Sequence, residues 1–431
     1  MSDAPRVPEW PKYRLDQLGS IARGRSRHRP RNAPHLYGGQ IPFFQTGDVK
    51  AADFWLTQHT QTYNAAGLAQ SKLWPAGTLC ITIAANIADT AILAIPGCFP
   101  DSVIGFLPDP DKSDVRFVKY LLDTKKASFQ AASRGTTQDN LSLEKLLTFE
   151  LGVPSLSLQR RIADILSAYD DLIEICERRI RVLDGMARAL FHEWFVLFRY
   201  PGAPHLHIAS PIGGIPAGWH VASLGDHIRL ETGKRPPGGA VGAVNGVPSV
   251  GAENVNKLGR HDYSAEKYVP REYFAAMTSG VVRDRDVALY KDGAHIGRST
   301  YFRDGFPHAE FAVNEHVFLL RTTSDQLCTN HLYLWLQDPQ TVQTIRSRNA
   351  NAAQPGVNRG AIESLLLALP PRSIGHRFDR LVEPVLAAVV AFARQADVLR
   401  RTRNLLRPRL LSGKIPLETA DPGNADLAAT V

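Results

Sequence analysis

Two tandem α+β domains, each followed by a long antiparallel coiled-coil helix, are the fold this 431-residue sequence predicts. Three observations carry that prediction. Its two halves repeat one another in order, at an offset of roughly 206 to 219 residues. The apolar runs inside each repeat are short, β-rich and bounded by turn residues. Each repeat then ends in a stretch with apolar side chains at helical spacing, the seam of a coiled coil.

The repeat justifies the elements in turn. Val7-Pro8-Glu9-Trp10, then Leu15 and Leu18-Gly19, open the first copy; Ile215-Pro216-Ala217-Gly218-Trp219, then Val221 and Leu224-Gly225, open the second. Ile41-Pro42-Phe43-Phe44 with Gly47-Asp48-Val49 returns as Val247-Pro248-Ser249-Val250 with Glu253-Asn254-Val255. The runs Thr78–Ile83 and Asp286–Tyr290 read as strands, and 115–130 and 329–346 as helices. Phe117–Leu122 is matched by His331–Leu336. A polar Gly/Gln/Asn stretch, an apolar run and a proline (Pro154, then Pro370-Pro371) end each globular part.

Beyond the first proline, Ile162, Leu166, Tyr169, Ile173, Cys176, Ile180, Leu183, Ala187, Leu190 and Trp194 alternate in steps of four and three. The second stripe is read as Phe378, Leu381, Val385, Ala388, Phe392 and Leu399. Two such stripes most economically pack on each other. Antiparallel packing brings the arginine-rich stretch 394–414 towards Asp164, Asp170 and Asp171. The expected organisation is a domain over 1–154, a helix over 155–198, a Pro/Gly linker over 199–215, a second domain over 216–371, a second helix over 372–412 and a tail over 413–431, an internal duplication of pseudo-twofold character. A helix of this length spans about 55 Å, which would set the domains at the two ends of a rod.

Composition excludes several classes. The hydrophobic fraction of 44% argues for packed cores. No run reaches the ~20 apolar residues of a membrane span, and the N-terminus lacks a signal core, so a cytoplasmic protein is expected. Cys80, Cys98, Cys176 and Cys328 lie far apart without a CxxC pair, which predicts neither disulfides nor a structural zinc site. His205 and His207 form an HxH, a spacing far more often solvent-exposed than metal-binding. Phosphate loops, GxGxxG after a strand, HExxH and GxSxG are absent, and so is the Asn/Asp-Pro-Pro-aromatic tetrapeptide of amino-methyltransferases. A binding protein is favoured over an enzyme. The net charge of +8 suits a nucleic-acid partner without establishing one.

The ordered set of the Val-Pro-x-Trp and Ile-Pro-x-x-Trp openings, Pro154-x4-Gln159-x-x-Ile162, Leu190-Phe191-x-x-Trp194-Phe195 and Leu410-Leu411-Ser412-Gly413-Lys414-Ile415 resembles the specificity subunit of type I restriction–modification enzymes. The resemblance runs to about Leu417; His376 and Arg377 depart from it where Gln159 and Arg160 stand in the first copy. It implies a non-catalytic subunit whose two target recognition domains each read half of a split sequence in double-stranded DNA. It also implies helices that space the domains and seat two modification subunits, with separate restriction subunits, so that S-adenosylmethionine, ATP and Mg²⁺ act in partner chains and this chain binds no cofactor.

The DNA-contact candidates follow from side-chain chemistry. Arg23, Arg25, Arg27, Arg29 and Arg31 crowd one Gly/Pro loop suited to phosphates or a groove, or simply to solvent. Lys234 and Arg235 sit at a similar place in the second copy. Arg134, Thr136 and Gln138, with Arg346, Arg348, Asn349, Gln354 and Arg359, offer groups that pair with base edges. In the same stretches Asn140 and Asn358 equally suit helix caps. Lys291, His295 and Arg298 belong to an expected hairpin, and Gln45, Thr46 and Asp48 are weaker candidates. Two other readings stand beside this one. They are a self-contained nuclease or methyltransferase, which assay of the chain alone with S-adenosylmethionine and Mg²⁺ would expose, and a scaffold that binds no DNA.

Overall fold

The computed structural model describes residues 10–52, 54–133, 141–203, 206–237, 239, 246–349 and 355–417. The chain divides into two compact units, one made of residues up to Leu172 together with those from Leu399 onward, the other of Ile173–Val398.

The first unit is built on a five-stranded sheet. Its strands are β1 (Gly19–Arg23), β2 (Trp55–Leu56), β3 (Leu79–Thr82), β4 (Thr90–Leu93) and β5 (Val103–Pro108), in the order β1-β5-β3-β4-β2. Only β2 runs parallel to its neighbour. Every side chain of β3 and β4 is buried, because one face meets helix α1 (Val115–Ser133) and the other a second apolar layer around Phe44, Trp74 and Phe99. Lys12–Tyr13 pairs with Leu151–Gly152, so the start and end of the repeat meet just before the long helix α2 (Leu156–Phe191) begins. The Gln159 side chain locks that start. Nearly fully buried, it accepts from the Asp114 N–H at 3.0 Å and donates to the carbonyls of Lys112 and Pro154, each at 3.0 Å.

The second unit repeats the plan. Strands β6 (Ile228–Thr232), β9 (Asp286–Tyr290), β10 (Ser299–Phe302) and β12 (Val317–Thr322) form an antiparallel sheet in the order β6-β12-β9-β10. Each strand lies about 210 residues after its counterpart among β1, β3, β4 and β5, and the pairing order is the same. A second sheet joins β7 (Val247–Val250) to β8 (Lys267–Val269) and β11 (Ala312–Val313). His220–Ser223 pairs with Leu366–Leu369, the same closing contact as in the first unit.

Two elements depart from the expectation, and one segment has a defined seat. The 329–346 helix is broken into α3 (Thr329–Gln337) and α4 (Pro339–Ser347). Pro339 has no N–H to continue the ladder, and the Asp338 side chain caps the new start by accepting from the N–H groups of Gln340 and Thr341. The buried face of the last helix, α5 (Arg372–Leu411), is not the stripe expected from the sequence. Phe378, Val382, Leu386, Val389 and Ala393 are buried while Leu381 is 48% exposed. The cause is that this helix packs on the globular core, around Leu258, Leu332 and Leu334, as well as on α2. The Pro/Gly segment after α2 packs into the second unit. Tyr200 is buried, its hydroxyl accepts from the Trp219 indole N–H at 3.0 Å, and His207–Ile208 pairs with Ile215–Pro216.

The two long helices pair antiparallel within each unit. In the first, Ile162, Ala163 and Leu166 of α2 share a core with Leu410 and Leu411 of α5, and Arg403 pairs with Asp170, which also accepts from the Tyr120 hydroxyl. Asp164 is engaged by Arg116 at 2.8 Å instead. In the second, Phe191, Trp194 and Phe195 surround Phe378 and the fully buried His331, whose ring sits 4.2 Å from that of Phe195. At the end of α5, Gly413 takes a left-handed φ of 72° and the N–H groups of Lys414 and Ile415 reach back to the Arg409 carbonyl, a glycine C-cap. The family-like motifs are therefore mostly packing devices.

Candidate nucleic-acid interface

In both units a basic loop leaves the first strand of the main sheet. After β1 the chain turns at Gly24, where any Cβ would meet the carbonyls of Pro100 and Phe99 within 2.4 Å, so the backbone is pinned against the chain before β5. The N–H of Gly24 bonds to the Val103 carbonyl at 2.8 Å and that of Arg25 to Phe99 at 3.0 Å. The side chains divide into two groups. Arg29 and Arg31 both reach Asp101, at 3.7 and 2.6 Å. Arg23 and Arg27 are exposed and Arg25 half-buried, and none of the three has an ion-pair partner among the described residues. Three uncompensated cations are thus held at a fixed sheet edge, an arrangement suited to phosphate oxygens.

The counterpart loop after β6 is held by the same device. A Cβ on Gly233 would lie 1.9 Å from the Val313 carbonyl. Lys234 is exposed and without an ion pair among the described residues, while Arg235 lies 3.8 Å from Glu315.

The second unit adds an open cleft of about 920 Å³ lined by Glu253, Tyr290, Lys291, Asp292, His316, Phe318 and residues 355–359. The expected hairpin is present, with the Tyr290 N–H bonded to the Arg298 carbonyl at 2.8 Å. It is stitched to the later polar segment by Gly293 N–H to Pro355 at 2.8 Å and Val357 N–H to Lys291 at 2.9 Å. Two stretches about 65 residues apart thereby form one wall. Lys291 lies 3.5 Å from Asp292, which also holds the His316 ring at 3.0 Å. Burial first, then the Asp292 and Glu253 carboxylates, hold the Tyr290 phenol above its ordinary pKa. Lys and Tyr donors beside Glu and Asp acceptors can meet both kinds of base edge.

Other candidates have structural work. Arg346 donates to the Ile296 carbonyl at 3.1 Å, and Arg348 to the Ala361 carbonyl at 2.8 Å and to Ser364. The Asn349 side chain accepts from the Gly356 N–H at 2.8 Å. Asn358 is the cap of the helical turn Arg359–Glu363, and Arg359 pairs with Glu363 at 3.4 Å while also lining the cleft. Gln45 donates its N–H to Asp48 as the cap of Thr46–Ala51. His295 and Arg298 stay exposed on the hairpin. Arg134, Thr136, Gln138, Asn140, His205 and Gln354 lie outside the described residues. Sequence reasoning passed over Glu253, Asp292 and His316. The one signal for them was that Glu253 stands in the stretch that repeats Gly47-Asp48-Val49, next to Asn254, the counterpart of Asp48.

All four cysteines are free, and no helix among the described residues is long and apolar enough to cross a membrane. The fold is thus a duplicated α+β unit with a basic loop at the same sheet edge of each copy. Residues 8–184 match the type I restriction modification DNA specificity domain. The chain is 23% identical to the type I restriction enzyme MjaIX specificity subunit of Methanocaldococcus jannaschii, covering 97% of this chain and 96% of that one. It is 21% identical to the HindI specificity subunit of Haemophilus influenzae, over 95% of this chain and 100% of that one. Its fold resembles the crystal structure of the S subunit of a type I restriction-modification system from M. genitalium, with a TM-score of 0.61, 14% identity and coverage of 97% and 99%. Over nearly its whole length the chain is thus similar to type I restriction enzyme specificity subunits.

Proposed function

We propose that this chain is the DNA-recognition subunit of a type I restriction–modification complex. Each α+β unit reads one half of a bipartite duplex target, and the helices α2 and α5 set the spacing and seat two modification subunits. The observation that carries this reading is the repetition, on the same sheet edge of both units, of a glycine-pinned basic loop, with Arg23, Arg25 and Arg27 unpaired in the first and Lys234 in the second among the described residues. Backbone cations of this kind position a protein on the duplex, while the donor and acceptor groups of the cleft supply base discrimination. Methyl transfer with S-adenosylmethionine, and ATP- and Mg²⁺-dependent translocation and cleavage by restriction subunits, are assigned to the partner chains.

The test is a domain exchange. Replacing residues 1–154 with the equivalent domain of a relative, followed by methylome sequencing, is expected to change one half of the methylated motif and leave the other. A change in both halves would refute the two-reader assignment. Native mass spectrometry of the coexpressed complex is expected to give two modification subunits per copy of this chain.

A further inference from the structure

Away from the cleft, three residues from separate stretches of the second unit converge. His261 precedes β8 on a tight loop, Glu266 stands immediately before β8, and His308 lies between β10 and β11. The Nε2 atoms of both imidazoles point at the same carboxylate oxygen, Glu266 Oε1, that of His261 at 2.6 Å. The other carboxylate oxygen accepts from the Tyr268 hydroxyl at 2.7 Å. The His261 and Glu266 side chains are 1% and 5% exposed, whereas His308 is 23% exposed and forms the open side.

We propose that His261, Glu266 and His308 form a binding site for a divalent transition-metal ion of the Zn²⁺ class. Two imidazoles and one carboxylate are the donors such ions take, and two nitrogens disfavour Mg²⁺ and Ca²⁺, which select oxygen. Three protein ligands with one open side leave a position for water. Tyr268 supplies the outer hydrogen bond that orients a ligating carboxylate. As it stands, the cluster is closed by N–H···O bonds. Ligands about 2.0–2.1 Å from a tetrahedral ion lie ~3.3 Å apart, so binding requires an opening of under an ångström, which the more exposed His308 can supply. The ion would join the loop that carries His261 to the one that carries His308. That join lies beside the Tyr263 hydroxyl, which donates to Asp397 of α5 at 2.6 Å, and so braces the smaller sheet where it meets the helix. This assignment does not depend on DNA recognition.

The test uses the untagged full-length chain, stripped with chelator and titrated with Zn²⁺ by calorimetry and with Co²⁺ by visible absorption. Wild type is expected to bind one Zn²⁺ with a micromolar or tighter Kd and to give the d–d bands of low-coordinate Co²⁺. His308→Ala and Glu266→Gln are expected to weaken binding tenfold or more and to abolish those bands. Circular dichroism confirms that the variants are folded. If the folded wild-type chain takes up less than 0.1 equivalent at micromolar Zn²⁺, the proposal is overturned whatever the variants do. Undiminished binding in both variants overturns it equally, by placing the ion elsewhere.

Discussion

Glu383 of α5 holds the second unit to its helix, and its removal has a calculable cost. Its Oε1 accepts from Arg285 and Arg303, both at 2.7 Å, and its Oε2 from the Asn330 amide at 2.7 Å. Burial alone would raise its pKa, but the hydrogen bonds from Arg285, Arg303 and Asn330 overcome that and push it down to about 2 from 4.5. That displacement corresponds to about 3 kcal/mol. Because the side chain is 31% exposed, solvent screening reduces the contribution to about 2 kcal/mol. Glu383→Gln keeps the shape and removes the charge, leaving the 2%-exposed Arg303 with Asp304 as its remaining ion-pair partner among the described residues. Hydrogen-exchange mass spectrometry on β9 and β10 peptides is the suitable assay, since it reports this unit alone. A loss of about 2 kcal/mol speeds exchange through local opening roughly thirtyfold at pH 7. The stabilisation belongs to the ionised carboxylate. It is therefore complete above pH 4.5, and more than half of it is gone by about pH 3, on the way to the folded value of about 2. Wild type and variant should converge over that interval. Equal exchange at pH 7, or a difference that does not shrink with acid, would refute the reasoning.

Arg23, Arg25 and Arg27 changed together to Ala should weaken DNA binding by the assembled complex and reduce its log–log salt slope by ~0.9 for every phosphate no longer neutralised. The Arg29 and Arg31 pair should matter less, because Asp101 already compensates it; fluorescence anisotropy across a salt series from about 50 to 200 mM compares the two. Arg348→Ala should leave the methylated sequence unchanged while speeding exchange in Arg359–Glu363, since it donates to the Ala361 carbonyl within that turn and to the Ser364 carbonyl just after it. Asn358→Ala should destabilise the same turn by about 1 kcal/mol, the usual value of an N-cap, read by the same exchange experiment. Phe378→Ala opens the core between α2 and α5 in the second unit, and a destabilisation of about 3–5 kcal/mol is expected in its thermal unfolding.

Much of this protein was legible in one dimension because its signals are periodic or repeated. The duplication needs only order along the chain, and β1, β5, β3 and β4 of the first unit share their pairing order with the four strands of the second unit's main sheet. The α2 stripe was readable because the same face that meets α5 also meets the globular core, so Ile162, Leu166, Ile173 and Ala187 are all buried. On α5 the two demands differ. The tertiary contacts with Leu258, Leu332 and Leu334 rotate the buried face away from the heptad reading and leave Leu381 outside. Charge was legible too, but its availability was not. Nothing local shows that Asp101 takes Arg29 and Arg31 and leaves Arg23, Arg25 and Arg27, because that choice rests on a contact about 70 residues away. The cleft joining Lys291 to Val357, and the convergence of His261, Glu266 and His308, have the same character. Sequence by itself determined which side chains the chain carries and the period of its elements. Which of them meet was decided by strand pairing across long loops, since hydrogen bonds and ion pairs act over about 3 Å and the chain brings distant residues that close only when its sheets form.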